Sequence, residues 1–216
     1  MDKNIKKKRM MTYFIDATDE IIKNEGIEYV TIRKVASNAG YNSATIYNYF
    51  KNLDHLILFS SLKYLNDYTA ALPKYLMNAH NSAERFLKVW ECFCYFSFKN
   101  PEIYHSIFFA RLNDDHKEVV KEYYNLFPDD LGIHSEDATT EMLLKYNIYE
   151  RDMILVSECV KEGLIRAEDM ESMNEMATMI YEGILLKVLN GKIDPEYALE
   201  KTMKYIVHIT DSFLIK

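Results

Sequence analysis

The segment "TIRKVASNAGYNSATIYNYF", Thr31 to Phe50, holds two short apolar-periodic runs joined by a turn that contains Gly40. In the first run Ile32, Val35, Ala36 and Ala39 recur at helical spacing. Thr31 stands where that helix needs an N-cap, its hydroxyl able to accept an otherwise unpaired backbone N–H. In the second run Asn42 is placed to cap a helix over Ser43 to Phe50, with Ile46 and Phe50 inward at i and i+4. Ala36 is small where the two helices cross, and Gly40 supplies the turn between them. Together these residues predict a helix-turn-helix. The small, mostly polar group Asn42, Ser43, Ala44 and Thr45 is followed at once by Tyr47, Tyr49 and Phe50. That order suits an element that shows its first turn to a polar partner and anchors its end in a core.

Helical periodicity continues on both sides. Upstream, Met11, Phe14, Ala17, Ile21 and Ile22 mark one stripe of a helix expected over about residues 4–25 and ended by Gly26. Downstream, "HLILFSSLKYLNDYTAAL" reads as one amphipathic helix interrupted near its end by Pro73. "SAERFLKVWECFCYFSFKN" opens on Ser82 as cap, and Pro101 starts a helix through "EIYHSIFFARL". A further helix covers about residues 116–126, and "FPDDLGIHSED" reads as a loop. Three helical patterns close the chain, ending near Gly163, near Gly191 and at the C-terminus, the last capped by Asp194 with Pro195 behind it. The expectation is an all-α protein of about nine or ten helices, in which residues 1–53 form a three-helix head and residues 54–216 a larger helical body.

Composition agrees. Six Gly and four Pro in 216 residues are too few to punctuate a many-stranded sheet. Net charge is −7, but residues 1–55 carry nine basic and seven acidic groups, so that segment is +2 and the remainder −9. That asymmetry suits a nucleic-acid-binding head on an acidic body. The start "MDKNIKKKRMMTYF" has no long apolar run, and no apolar stretch is long enough to span a bilayer, so the cytoplasm and no membrane partner are expected.

The residues also bound the chemistry. The six His are scattered, and neither HExxH, CxxC nor a glycine-rich phosphate loop occurs, so no enzyme, no metal and no cofactor is expected. Cys92 and Cys94 lie two apart, about 200° around a helix, and with Cys159 read as structural or free thiols.

The string Ala39, Gly40, Thr45, Ile46, Tyr47, Tyr49 and Phe50, followed by "KNLDHLI", resembles the DNA-binding head of TetR-type transcriptional regulators over about residues 4–58. The remaining three quarters resembles that family only in architecture, although "KNPEIYHSIFF" is similar to a segment found in the middle of many relatives' bodies. The resemblance implies a dimer that binds a double-stranded DNA operator and answers to a small-molecule effector.

Within a helix-turn-helix, the start of the second helix reaches base edges. Here that is Asn42, Ser43, Ala44 and Thr45, with Asn suited to adenine and Ala44 to a thymine methyl. By resemblance, Tyr47 and Tyr49 bond backbone phosphates; the alternative is that both are amphipathic core residues with wet hydroxyls. Thr31 offers a helix N-terminus to phosphate, one of Arg33 and Lys34 reaches DNA, and Lys51 is a further candidate. Lys6, Lys7, Lys8 and Arg9 form either a basic arm or a solvated helix end. One departure stands out: many relatives carry lysine where this chain has Leu53.

For the body, Met173, Met176, Ala177, Ile180, Ile184 and Val188 form one stripe, and Leu199, Met203, Ile206, Thr210 and Phe213 another. With Gly183 permitting close approach, these make the last two helices the expected homodimer interface, unless the stripes only cover their own core. Trp90, Phe93, Phe96, Phe108, Phe109, Tyr123 and Tyr124 are the candidate effector-site residues, with ordinary core as the alternative. Glu91, Glu158 and Glu182 would favour a cationic effector if buried. The rival to an effector-controlled regulator is a DNA-linked adaptor that docks a protein instead. A large apolar cavity would argue against the adaptor, and a filled body with an exposed apolar patch would support it.

Overall fold

The structure, a computed structural model, describes residues 3–109, 115–131, 138–145 and 147–215. These form helices α1 (Lys3–Glu25), α2 (Ile32–Ala39), α3 (Ser43–Ile46), α4 (Leu53–Leu62), α5 (Leu65–Leu76), α6 (Ser82–Lys99), α7 (Pro101–Phe108), α8 (Asp115–Leu126), α9 (Ala138–Leu143), α10 (Ile148–Lys161), α11 (Met170–Leu189) and α12 (Pro195–Phe213). Among the described residues there is no strand, so the fold is all-α. The helices outnumber the expected nine or ten for two reasons. The stretch read as one helix after Asp54 is two, α4 and α5, parted at Lys63 and Tyr64, and α9 is an additional short helix. Pro73 does not stop α5, which runs on to Leu76. The end expected for α7 beyond Phe109 and most of the expected loop at 127–137 lie outside the described residues.

The chain packs as two compact units, Met1–Leu65 with Leu112–Asp130, and Asn66–Arg111 with Leu131–Lys216. By packing, therefore, α4 goes with the head rather than following the expected boundary after Leu53, and α8 joins it.

In the first unit the stripe expected on α1 is the core: Met11, Phe14, Ala17, Ile21 and Ile22 are all buried, against Val35 and Ala36 of α2 and Ile46 of α3. Phe50 sits edge-on to Phe14 at 6.3 Å and to Phe59 of α4 at 5.7 Å. Such aromatic pairs each add about 0.5–1.5 kcal/mol beyond their burial. Tyr64 donates to Asp19 Oδ1 at 2.7 Å and Lys63 pairs with Asp16 at 2.9 Å, fastening α1 to the end of α4. Helix α8 closes this unit through the Phe59–Tyr123 ring contact at 5.2 Å and a Lys7–Glu122 ion pair at 2.7 Å.

In the second unit α6, α10, α11 and α12 pack on one another around Trp90, Phe93, Tyr104 and Tyr181, all buried. The N-cap of α6 is Asn81, one residue before the expected Ser82: Asn81 Oδ1 accepts the Glu84 N–H at 2.8 Å, and Glu84 accepts the His80 N–H in return. Asn carries an acceptor better placed for that bond than a serine already inside the first turn. Cys92, Cys94 and Cys159 are buried and unbridged, and burial pushes the Cys92 thiol up to about 12.

Candidate nucleic-acid interface and body cavity

The reading element is assembled by local caps. Thr31 is extended and its hydroxyl accepts the Lys34 N–H at 3.2 Å, which starts α2. Gly40 takes the left-handed conformation at φ 75°, where any side chain is strained, and turns the chain into α3. Asn42 Oδ1 then accepts both the Thr45 N–H at 2.9 Å and the Thr45 hydroxyl at 3.0 Å.

The second helix is shorter than expected. Regular α-helix ends at Ile46, and residues 47–49 continue as tight turns, with Tyr49 N–H bonded to Ile46 O at 2.9 Å and Phe50 N–H to the same carbonyl at 3.0 Å. That tightening still delivers Phe50 to the core.

The expected contact residues divide by exposure. Thr31, Arg33, Asn42, Ala44, Tyr47 and Lys51 are exposed, and Ser43, Thr45 and Tyr49 half-buried. Tyr47 is 57% exposed. Tyr49 lays its ring 6.0 Å from that of Phe14, so it is partly a packing residue. Of the adjacent cations, Lys34 is held by Glu25 at 2.7 Å and lies over the Tyr29 ring, which leaves Arg33 as the outward one. In the N-terminal basic run Lys7 is paired with Glu122 and Lys8 lies over Phe127 at 5.1 Å. Leu53 occupies the first position of α4, behind Asn52, whose side chain accepts the His55 N–H at 2.8 Å.

The second unit holds a cavity lined by Tyr68, Val89, Trp90, Phe93, Met142 and Leu155, together with Ile148, Arg151 and Asp152. Its volume is ≈ 20 Å³, about enough for one water. Trp90 Nε1 donates to Asp152 Oδ1 at 2.7 Å. Burial pushes the Asp152 carboxyl well above the usual carboxylate range, outweighing that hydrogen bond. Arg151 donates from Nε to Lys145 O and from Nη2 to Leu143 O, each at 2.9 Å, and its guanidinium lies 4.8 Å over the Phe108 ring.

Of the aromatic residues expected at an effector site, Trp90 and Phe93 line this cavity. Phe108 lies behind it under Arg151, and Phe109 against Tyr181 at 6.0 Å. Phe96 is half-buried against Tyr95. Tyr123 and Tyr124 belong to the first unit, where Tyr123 packs on Phe59 and donates to Asp130 Oδ2 at 2.6 Å. None of the three glutamates lines the cavity: Glu91 pairs with Lys88, Glu158 with Lys161, and Glu182 is exposed. Sequence reasoning missed Tyr68, Met142, Arg151 and Asp152; the adjacent Arg–Asp pair reads as a solvated helix start.

The expected dimer residues split as well. Ile184, Ile206 and Thr210 are buried within the unit. Met176 is exposed, as is Gly183, while Ile180, Met203 and Phe213 are half-buried. Met179, at 66% exposure, and Leu186 extend the outer apolar face of α11. A side chain at Gly183 would meet nothing within 4 Å, so packing within this chain does not require glycine there.

Among the described residues no cluster of His, Cys, Asp or Glu could hold a metal ion, and no helix is long and apolar enough to cross a membrane.

Comparison with known proteins follows the same division. Residues 14–58 match the family described as bacterial regulatory proteins, tetR family. An uncharacterized HTH-type transcriptional regulator of Haemophilus influenzae is 28% identical over 109 residues, half of this chain and 58% of that protein. The matched stretch thus spans a little over half of that relative. Among solved structures, Thermus thermophilus FadR, a TetR family transcriptional repressor in complex with lauroyl-CoA, is similar at TM-score 0.59 and 14% identity, covering 91% of this chain and 93% of that one. A TetR transcription regulator from Haloarcula marismortui is similar at TM-score 0.57 and 16% identity, covering 95% and 98%. At such identities these likenesses show the shared fold alone. With the caps, the left-handed turn and the aromatic anchor all in register over Phe14–Leu58, it is the helix-turn-helix head of this chain that matches the tetR family of bacterial regulatory proteins.

Proposed function

We propose that the protein is a cytoplasmic, dimeric, ligand-responsive repressor whose head binds a palindromic operator and is released by a small apolar or amphipathic effector. The observation that supports this best is the Asn42-capped start of α3, where Asn42, Ala44 and Tyr47 are exposed and Ser43 and Thr45 half-buried, fixed from behind by Ile46 and Phe50. A rigid element of that width fits the major groove, and its residue types suit base edges. Two half-sites need two heads, and the apolar outer face of α11 around Met176, Met179 and Gly183 is where a second copy would pack. No catalytic step is proposed.

The test is a gel-shift titration against DNA from immediately upstream of the coding region, at two salt concentrations, beside a folded Thr45→Ala, Tyr47→Ala double variant. Sequence-preferring, salt-sensitive binding lost in the variant is the expected result. A variant that retains wild-type affinity and preference overturns the assignment of the reading residues.

One observation favours a second reading. A cavity of only ≈ 20 Å³, together with the exposed Met176 and Met179, is what an adaptor controlled by a protein partner would present. Release of DNA by a small molecule alone would exclude it.

A further inference from the structure

Two charged-type side chains in the wall of the body cavity are nearly inaccessible, Asp152 at 2% and Arg151 at 3% exposure. Neither is fully satisfied. Arg151 uses Nε and Nη2 on backbone carbonyls, and its Nη1 has no partner. Asp152 accepts from Trp90 through Oδ1, and its Oδ2 has none. Outside the cavity's lining, the buried Tyr104 hydroxyl is also unpartnered, its ring 5.5 Å from Phe93 and 6.2 Å from Phe108. Unpaired buried groups of this kind are costly, and several together call for an occupant.

The chemistry of that occupant follows from what is offered. The guanidinium is permanently charged, and the carbonyls it touches compensate it only as dipoles. Burial favours the protonated Asp152 carboxyl, and a neutral carboxyl donates from its free oxygen. The free edges are then all donors, around one net positive charge, inside aromatic walls formed by Tyr68, Trp90 and Phe93. A cation is opposed by Arg151 despite the aromatic faces, and a dianion would bring more charge than one guanidinium balances.

The geometry points to a recognition site for a small apolar monocarboxylate, its carboxylate on Arg151 Nη1 with the Asp152 carboxyl as a further donor. This deepens the effector reading above and rests on it for any regulatory role. At ≈ 20 Å³ the cavity must widen to take such a ligand. Met142 is the adaptable wall, unbranched and carried on α9, and Arg151 itself holds the carbonyls at the end of that helix. A carboxylate on Nη1 would therefore bind the same side chain whose Nη2 holds the end of α9.

Trp90 is the only tryptophan of the chain, so its fluorescence reports this cavity alone. The full-length protein is titrated with three probes of one skeleton and three charges, hexanoate, hexanamide and hexylamine, and again with phenylacetate, phenylacetamide and phenethylamine. The expected result is that at least one carboxylate half-saturates the Trp90 signal about tenfold lower than its amide and its amine, the difference a charge-assisted bond supplies. Arg151→Gln is expected to abolish that preference. Because Arg151 also secures α9, Arg151→Lys serves as a second variant, expected to keep a carboxylate preference through its charge where folded Arg151→Gln has none. Equal or tighter binding of an amine, no response to either carboxylate at millimolar concentration, or an unchanged preference in folded Arg151→Gln overturns the site. A carboxylate that reports at Trp90 yet leaves DNA retention unchanged supports the site and overturns its role as the effector switch.

Discussion

The side-chain oxygen of Asn42 holds Thr45 twice, by its backbone N–H at 2.9 Å and by its hydroxyl at 3.0 Å. Two of the four residues proposed to read bases are thus engaged with each other in the free head. Engagement fixes the start of α3, and it also means that Thr45 must exchange its hydroxyl bond if it is to meet a base.

Asn42 therefore separates folding from recognition. Asn42→Ala should cost the head about 1 kcal/mol through loss of the cap. Asn42→Asp keeps an N-cap acceptor and should leave the melting temperature near wild type, yet weaken operator binding by about tenfold or more by placing a negative charge among phosphates. Thermal unfolding and gel shift on the same preparations check both. Undiminished DNA binding by Asn42→Asp would remove the residue from the interface.

The two tyrosines should behave differently. Tyr47, mostly exposed, should lose about three- to tenfold in operator affinity as Phe, at unchanged stability, if its hydroxyl bonds phosphate. Tyr49→Ala should lower stability by about 1 kcal/mol or more, because its ring packs on Phe14. A stable Tyr49→Ala that binds normally would contradict the packing role.

Asp152 predicts a pH signature. Its folded-state carboxyl titrates above its unfolded value, so the folded state holds a proton that the unfolded chain releases as pH rises through the ordinary carboxylate range. The group's contribution is complete below the unfolded value and declines above it until the folded group also ionises. Asp152→Asn, which does not titrate, should be no more stable than wild type near pH 4 and relatively more stable at pH 8. Melting curves of both proteins across that interval measure the difference; a pH-independent gap would mean that Asp152 is ionised in the fold.

The outer face of α11 predicts oligomeric state. Met179→Glu, at an exposed position, should leave the fold intact and convert a dimer to monomer in sedimentation velocity. Gly183→Leu should act likewise, since this chain leaves that space empty. Dimers persisting in both variants would place the contact elsewhere.

The head was legible because its determinants are local: Thr31, Gly40 and Asn42 each govern the two or three residues beside them, and Ile46 and Phe50 then have one inward side available. The body was legible only as helices. Nothing in the helix-periodic run after Asp54 marks the break at Lys63, because its apolar residues keep their spacing across it. On α11 both sides are apolar, Met173, Ala177 and Val188 inside and Met176, Met179 and Leu186 outside, so a stripe drawn from sequence mixes the two. Tyr123 and Tyr124 resemble pocket aromatics in every local respect, and only long-range packing assigns them to the first unit. Arg151 and Asp152 were hidden for the opposite reason. Charge beside a cap ordinarily means solvent, and their burial depends on α9 and Trp90, distant in sequence.

Helix α8 bears on how such a protein can change its parts over evolutionary time. Because Glu122 and Tyr123 complete the packing of Lys7 and Phe59, the head is not a cassette that ends where its motif ends. Fusing residues 1–65 to a foreign body would uncover Phe59 and strand Lys7, whereas a transplant that brings α8 along would not. A head exchanged by recombination would then need both segments, residues 1–65 and α8, to travel together.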